Sequence, residues 1–330
     1  MKVIDMHCDT IAELYYRREA AKAFSISEND CHIDLKRMKQ GDYCLQNFAL
    51  FTSLDRHERP FEYCMKLVDL FYTEMEQYGD RIGIVKSYED IERNMEAGRM
   101  SAMLTIEEGG VCQGELAYLR DFYRLGVRMM TLTWNFPNEL GCPNRCRIEG
   151  DEAFFEPDTE HGLTEKGIEF LYEMEKLGMI VDVSHLSDAG ISDVFCHTSK
   201  PFVASHSNAR SVASHPRNLT DEMIRKLAER GGVAGINYCA DFLHDWKKGE
   251  SAISRVEDMI LHMKHMKKVG GIGVIGLGSD YDGIGGELEM KSPADLPLLE
   301  RAMEKAGFTE EEIEAVFYRN VLRVYREVLK

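Results

Sequence analysis

Short apolar segments rich in β-branched residues alternate along the chain with longer segments of helical periodicity. The short segments predict eight strands, at residues 3–7, 46–51, 102–108, 127–134, 179–185, 202–206, 232–238 and 273–280. Between them, apolar residues recur three and four positions apart, as in the segment 61–78. Eight strands alternating with helices predict an α/β fold, a TIM (β/α)8 barrel, with an open doubly wound sheet as the competing arrangement.

Residues at the ends of the helical segments support this reading. The predicted helices at 116–125 and 164–177 are each followed by a glycine, Gly126 and Gly178, at the position where a helix commonly ends. Near the C-terminus, Thr309 and Glu312 form the capping-box pattern that begins a helix, here predicted over residues 310–329.

One segment is too long for an ordinary connection between a strand and a helix. Residues 135–161 are rich in Pro, Cys, Asn and acidic residues, and we expect them to form an extended loop over the C-terminal mouth of the barrel, after strand 4. No Pro-rich linker and no low-complexity stretch divides the chain. Residues 1–330 are therefore predicted to form a single barrel domain.

Composition and charge narrow the class of protein. The chain has 330 residues, 44% hydrophobic and 29% charged, with a formal charge of −17, which argues against nucleic acid or an anionic membrane as partner. No apolar run approaches the roughly 18 residues of a membrane span, and no basic segment precedes an apolar one as in a secretory signal. The nine cysteines lack CxxC spacing. We expect a cytoplasmic protein with reduced thiols.

Histidine and acidic residues lie at the ends of five predicted strands: His7 and Asp9 after strand 1, Glu107 and Glu108 at strand 3, His185 at strand 5, His206 at strand 6, and Asp280 at strand 8. In a barrel these ends meet at the C-terminal face, where active sites are built. Each residue alone is explained by a hydrogen-bonded histidine or a solvated strand end. Burying all of them together without a cation is unfavourable, so the set predicts a metal site.

The donor types indicate which metal and how many ions. Mixed nitrogen and oxygen donors suit Zn²⁺ better than Ca²⁺ or Mg²⁺. His7, Asp9, Glu108, His185 and His206 are more ligands than one tetrahedral ion with an open position needs. A carboxylate bridging two ions about 3.5 Å apart accounts for the excess, and strand 3 lies between strand 1 and strands 5 and 6. The expectation is two zinc ions per chain with Glu108 as the bridge.

Several motifs, taken together, resemble the membrane (renal) dipeptidase family, peptidase family M19 of the amidohydrolase superfamily. They are Asp5-x-His7-x-Asp9-Thr10, Glu108-Gly109-Gly110, Asp182-Val183-Ser184-His185, Ser205-His206-Ser207 with Arg217-Asn218, and Gly278-Ser279-Asp280-Tyr281-Asp282-Gly283. The resemblance extends in the same order from residue 5 to Asn320. It implies a distorted (β/α)8 barrel with a binuclear zinc centre, often in a homodimer, that hydrolyses dipeptides with free amino and carboxyl termini. D-residues are often accepted at the second position.

The resemblance also implies roles for the ligand candidates. It makes His7 and Asp9 ligands of one ion and His185 and His206 ligands of the other, with Glu108 between them. A hydroxide bridging the two ions would attack the dipeptide carbonyl.

For the substrate, the resemblance implies that Asp280 contacts the amine and transfers protons. It also implies that Arg217 binds the substrate carboxylate. One position departs from the better-known animal members, which have a histidine at the end of strand 4 where this chain has Trp134. The indole N–H can donate but cannot replace that histidine unchanged. Asn135 and Asn138 are candidate donors in its place, so Trp134 and Asn135 are predicted to contact substrate.

Two other functions remain open at this point. The first is another metal hydrolase of the superfamily, acting on cyclic amides, lactones or phosphoesters. Such relatives usually have an HxH motif at the end of strand 1, whereas this chain has HxD there. They also often bridge their metals through a modified lysine on strand 4, and this chain has no lysine in residues 127–134. The second is a non-catalytic metal-binding barrel, favoured only by Trp134.

Overall fold

A computed structural model of the chain describes residues 1–20, 24–149, 152–246 and 250–330. Eight parallel strands form a barrel, here β1 to β8: Val3–Asp5, Tyr43–Phe51, Met100–Glu107, Val127–Thr131, Ile180–Asp182, Val203–Ala204, Val233–Ile236 and Ile275–Leu277. Each strand pairs with the next along the chain, and the ring closes where Asp5 of β1 pairs with Leu277 of β8. The predicted (β/α)8 barrel is confirmed, and each predicted strand overlaps one barrel strand.

Helices connect the strands on the outside of the barrel. Helices α1 to α13 are Thr10–Glu19, Leu35–Gln40, Pro60–Gln77, Tyr88–Glu96, Leu116–Arg124, Glu165–Leu177, Asp188–His197, Asp221–Glu229, Ala240–Leu243, Val256–Gly270, Leu296–Lys305, Glu310–Glu314 and Asn320–Val328. Gly178 ends α6 with a φ of 80°, and Thr309 and Glu312 form the capping box of α12, as predicted. The predicted helix 310–329 is interrupted by a π-helical turn at Ala315–Arg319.

Two apolar clusters stabilise this arrangement. The larger one lies between the strands and the surrounding helices. The smaller one fills the N-terminal half of the barrel with side chains such as Ile4, Met103 and Met129, together with Val321 and Tyr325 of α13. Because apolar side chains and the C-terminal helix occupy that half of the interior, the polar strand ends are concentrated at the opposite, C-terminal mouth.

Short strands lie outside the barrel. They are Ile82–Val85 beside the first half of β3, Ile253–Ser254 paired with Glu287–Leu288, and the hairpin Arg145–Glu149 with Glu152–Glu156. The hairpin belongs to the loop predicted at 135–161, of which residues 150 and 151 lie outside the described residues. Its Phe155 ring lies 4.6 Å from the ring of His215, which follows β6, so the loop does reach the C-terminal side. No helix in the described parts of the chain has the length and apolar character that crossing a membrane requires.

Candidate metal centre

The C-terminal ends of five strands bring imidazoles and carboxylates into one buried cluster. Their donor atoms form three groups, each within 4.8 Å: His7, Asp9 and Glu107; Glu107, His185 and His206; and His7, His206 and Asp280. The structure therefore brings together six of the seven residues that the strand ends singled out, namely His7, Asp9, Glu107, His185, His206 and Asp280.

The Glu107 carboxylate lies between the other donors. Its Oε2 is 3.4 Å from His7 Nε2, whereas its Oε1 is 3.0 Å from His185 Nε2 and 3.6 Å from His206 Nε2. One oxygen thus faces the group that contains Asp9, and the other faces the two histidines from β5 and β6. Glu107 is shared by the group with Asp9 and the group with His185, while His7 and His206 link these two groups to the third one, which contains Asp280.

Glu108 is oriented away from this cluster. Its carboxylate accepts hydrogen bonds from the backbone N–H of Trp134 at 3.0 Å, from that of Gly110 at 2.7 Å, and from the side-chain amide of Asn138. These three donors occupy both oxygens. The expectation for Glu108 is therefore corrected, since Glu107 and not Glu108 lies among the clustered donor atoms.

The alternation of side chains along β3 explains the difference. Leu104 and Ile106 belong to the outer apolar cluster, whereas Met103 belongs to the inner one. Successive side chains of a strand point to opposite faces, so Glu107 shares the inward side of Met103. The alternation of apolar residues at 104 and 106 was the signal that could have distinguished the two glutamates.

Hydrogen bonds at the far ring nitrogens orient the two histidines. The Ser205 hydroxyl donates its single proton to Asp182, so its oxygen accepts from the Nδ1–H of His206 at 2.7 Å. His185 Nδ1 lies 2.9 Å from the side-chain oxygen of Asn135 and donates to it. Both rings therefore present an unprotonated Nε2 to the centre, as metal-ligating histidines do.

The resulting set of donor atoms fits a cation. The Nε2 atoms of His185 and His206 are 3.0 Å apart, and Glu107 Oε1 lies beside both, so three acceptors meet with no proton between them. Both ring nitrogens of His7 and Oδ1 of Asp9 are buried without a hydrogen-bond partner among the described residues. Buried polar atoms of this kind are normally paired, and a metal ion would pair Asp9 Oδ1 and one of the two ring nitrogens of His7.

Electrostatics in the centre lead to the same conclusion. Burial lowers the pKa values of His185 and His206 well below the usual range, so both rings are neutral at pH 7. Burial, reinforced by neighbouring carboxylates, raises the pKa values of Glu107 and Asp280. Neutral imidazoles are the form that binds metal, and a bound cation would stabilise the ionised carboxylates.

Asp280 is held beside the ligand groups by a neighbour that the sequence reasoning missed. Its Oδ2 accepts from the side-chain amide of Asn237 at 2.9 Å, while Oδ1 lies 3.8 Å from His7 Nε2. Asn237 follows β7, which, like β2 and β4, has no ionisable residue at its end, so the pattern of ionisable strand ends does not point to it. Asp280 and His185 adopt φ values of 62° and 68°, strained for non-glycine residues and common at functional sites.

Arg217 lies next to the centre in a largely buried position. Its guanidinium donates to Ser207 Oγ at 3.3 Å and to the backbone oxygen of His206 at 3.4 Å, both at the end of β6. Its Nε has no hydrogen-bond partner among the described residues. The group lies 5.4 Å from the ring of Phe242, which lines the cavity described next.

A cavity of about 420 Å³ opens above the cluster, and its walls include Asp9, Glu107, His185 and Asp280. Trp134 and Asn135 also line it. The Trp134 ring packs against Phe51 with centroids 4.9 Å apart.

The two asparagines near Trp134 differ. Asn138 donates to Glu108 and to the backbone oxygen of Leu132 at 2.9 Å, so its amide N–H groups are already used in hydrogen bonds within the protein. Asn135 engages its oxygen with His185, and its amide nitrogen has no partner among the described residues.

Comparison with known proteins identifies the family. The sequence matches the family model for membrane dipeptidase (peptidase family M19) over residues 1–330. The chain belongs to this family. It is accordingly an enzyme of the metallo-dipeptidase class, which decides against the non-catalytic barrel and favours peptide hydrolysis over the cyclic-amide, lactone and phosphoester alternatives.

Relatives in this family align over nearly the whole chain. An uncharacterised dipeptidase of Schizosaccharomyces pombe is 31% identical over 343 residues, covering 99% of this chain and 80% of the relative. A metallopeptidase of Rhodobacter sphaeroides, solved with a phosphinate mimic of the dipeptide L-Ala-D-Ala, is 25% identical with a TM-score of 0.88, and the match covers 99% of each chain. The M19 metallopeptidase called dipeptidase AC is 26% identical, again with a TM-score of 0.88, over 100% of this chain and 99% of the other.

Proposed function

We propose that this M19 family member hydrolyses dipeptides with free amino and carboxyl termini, using two zinc ions per chain. The observation that carries the proposal is the position of Glu107. Its two oxygens separate the donors into one group with His7 and Asp9 and another with His185 and His206. Two nitrogen- and oxygen-donor groups with a shared carboxylate are what a pair of zinc-class ions requires.

The side chains around the centre have distinct tasks in this reaction. When bound, the ion pair would supply an activated water and polarise the scissile carbonyl. His185 and His206 stay neutral and correctly oriented because Asn135 and Ser205 hold their Nδ1–H groups. Apolar residues of the barrel interior exclude water from below.

Asp280 handles the proton and the substrate amine. Asn237 holds Oδ2, which leaves Oδ1 on the side of His7, within the cluster. From there the carboxylate can accept a hydrogen bond from the free ammonium group, and it can take a proton from the attacking water and give that proton to the leaving amine. A substrate without a free amine loses this contact.

Arg217 supplies the positive group for the other terminus. A guanidinium matches a carboxylate with two parallel hydrogen bonds, and this one has an unpartnered Nε next to the cavity wall. With one terminus at Asp280 and the other at Arg217, the site favours a chain of two residues. The L-Ala-D-Ala mimic bound by the Rhodobacter sphaeroides relative supports the inclusion of L,D dipeptides.

A hydrolysis screen of L,L and L,D dipeptides tests this proposal, with chelated and zinc-reconstituted protein assayed in parallel. N-acetylated and C-amidated analogues serve as controls for the two termini. We expect turnover of free dipeptides that disappears on chelation and returns with zinc. Turnover that survives complete metal removal would contradict the proposal.

A further inference from the structure

Arg56 differs from the other charged residues around the cavity. It lies in the loop after β2 and lines the cavity, and its guanidinium makes no hydrogen bond or ion pair with any described residue, although its backbone N–H donates to the backbone oxygen of Ser53. The chain carries a formal charge of −17, so nearby acidic partners are plentiful. An arginine left unpaired at a cavity wall in such a protein is available to a ligand.

The acidic groups near Arg56 are engaged elsewhere. Glu13, which also lines the cavity, pairs with Arg17 of α1. Asp55, the preceding residue in the chain, accepts from the Ser53 hydroxyl.

Asp282, another lining residue, accepts hydrogen bonds from Thr10 Oγ1 at 2.5 Å and from the backbone N–H of His32 at 2.6 Å. Both Asp282 oxygens are therefore used within the protein. No carboxylate in the described wall of the cavity neutralises the Arg56 guanidinium.

The order of the strands places Arg56 relative to the substrate termini. In a ring of eight strands, β2 and β6 are four apart, so the loop with Arg56 lies across the mouth from Arg217. The arc from β6 to β2 passes β8 and β1, which carry Asp280 and Asp9. A dipeptide placed with its carboxylate at Arg217 and its amine at Asp280 would have its N-terminal residue on the β8 and β1 side of the mouth, and beyond β1 in the ring lies β2, whose loop carries Arg56.

We propose that Arg56 determines specificity, and that the enzyme prefers dipeptides whose N-terminal residue has a carboxylate side chain, aspartate or glutamate. This inference rests on the proposed dipeptidase function. The guanidinium fork binds a carboxylate through two hydrogen bonds, whereas the amide of glutamine or asparagine matches it less well. The carboxylate cluster at the base of the cavity is separate from this contact, because it binds the ions and the amine.

Isosteric substrate pairs test the preference. The ratio of kcat/KM for Glu-Ala over Gln-Ala isolates the charge of the N-terminal side chain, and Ala-Glu over Ala-Gln does so for the second residue. We expect Glu-Ala to be favoured over Gln-Ala by about fivefold to fiftyfold, less than for a buried pair because Arg56 is exposed. Added salt should reduce this ratio. A ratio near one in the wild type, or a preference confined to Ala-Glu, would overturn the proposal.

Substitutions of Arg56 test whether this residue causes the preference for an acidic N-terminal residue. Arg56→Ala should bring the Glu-Ala to Gln-Ala ratio close to one, and Arg56→Glu should favour Lys-Ala over Gln-Ala. The matched control is Arg59→Ala, since Arg59 lies in the same loop but pairs with Glu62 at 3.1 Å and does not line the cavity. A ratio that persists in Arg56→Ala, or falls equally in Arg59→Ala, would contradict the assignment.

Assays of the wild-type enzyme distinguish failure of the Arg56 proposal from failure of the proposed dipeptidase function. Hydrolysis of Ala-Ala with no distinction between Glu-Ala and Gln-Ala would reject only the role of Arg56. Absence of metal-dependent hydrolysis for every dipeptide would reject the dipeptidase function itself.

Discussion

At the scale of single residues, two adjacent glutamates at the end of β3 have opposite surroundings. Glu107 faces three imidazoles inside the barrel mouth, and Glu108 accepts hydrogen bonds from a loop outside it. The same functional group thus contributes to the metal centre in one position and to loop structure in the next.

Substituting each glutamate by glutamine should separate these roles. Glu107→Gln removes the shared anion, so metal binding should weaken by more than the 10–100-fold typical of changes around a ligand, and turnover should fall with it. Glu108→Gln should keep the metal but lose about 1–3 kcal/mol of stability, because one donor is left unpaired. Metal analysis measures the metal content of each variant, and thermal unfolding measures its stability. Equal metal loss in the two variants would contradict the assignment.

The sequence predicts most residues of the site, but it does not predict which of two adjacent glutamates belongs to it. His7, Asp9, His185, His206 and Asp280 could be selected because each ends an apolar strand. The choice between Glu107 and Glu108 depends on where the regular strand stops. Gly109 and Gly110 after Glu108 made that residue look like part of the motif, and only the alternation of inward and outward side chains contradicts it.

His262 should contribute to the pH dependence of stability. It is buried on α10, Nδ1 accepts from the backbone N–H of Ala209, and Nε2 donates to the backbone oxygen of Leu243. Burial lowers the pKa of His262 to about 4, from 6.5 in the unfolded chain. Between these pH values only the unfolded chain binds the proton, so stability falls as pH drops from 6.5 toward 4.

The expected slope from this single group is at most about 1.4 kcal/mol per pH unit. His262→Gln should flatten the dependence by that order, as urea unfolding of metal-free protein at several pH values would reveal. Identical slopes in wild type and variant would show that His262 does not titrate in this way.

At the scale of elements, the loop after β8 holds two carboxylates in place through a close backbone approach. A Cβ at Gly283 would lie 1.9 Å from Asp9 Oδ2 and 2.7 Å from Asp280 Oδ1, whereas a Cβ at Gly285 would meet nothing within 4 Å. The glycine at 283 is therefore required by space that the two carboxylates occupy.

Alanine at these two positions gives a matched comparison. Gly283→Ala should displace the Asp9 and Asp280 carboxylates and weaken metal binding by about 10- to 100-fold. Gly285→Ala should bind metal as the wild type does. Metal affinity measured by competition with a chelator distinguishes them, and unchanged affinity in Gly283→Ala would contradict the packing described here.

The barrel elements were predictable because each strand is a short apolar run between turn-forming residues. The hairpin of Arg145–Glu149 and Glu152–Glu156 was not predicted, because residues 135–161 were assigned as a whole to a long loop on their content of Pro, Cys, Asn and acidic residues. The π-helical turn at Ala315–Arg319 was also missed, because its sequence continues the periodicity of the helix on both sides.

At the scale of the whole molecule, the closed ring sets the distance between the groups that we propose bind the two substrate termini. Arg217 after β6 and Asp280 after β8 are two strands apart, with the Asn237 amide after β7 between them. This separation is a property of the barrel and could not be read from the spacing of the residues along the chain.

Arg217→Ala should reduce kcat/KM for free dipeptides about 10- to 100-fold more than for C-amidated ones, the usual effect of losing a charge-assisted hydrogen bond. Arg217→Lys keeps the charge but lacks the planar guanidinium, so its kcat/KM for free dipeptides should lie between those of the wild type and Arg217→Ala. Equal losses on free and amidated substrates would indicate that Arg217 only supports the backbone of His206 and the Ser207 hydroxyl.

The most direct test of a binuclear centre bridged by Glu107 is a zinc titration of metal-free protein with dipeptide hydrolysis followed at each step. We predict that turnover rises until two equivalents are bound, and that Glu107→Ala neither reaches two equivalents nor recovers turnover. Full turnover at one equivalent, with the same stoichiometry in Glu107→Ala, would contradict the central claim.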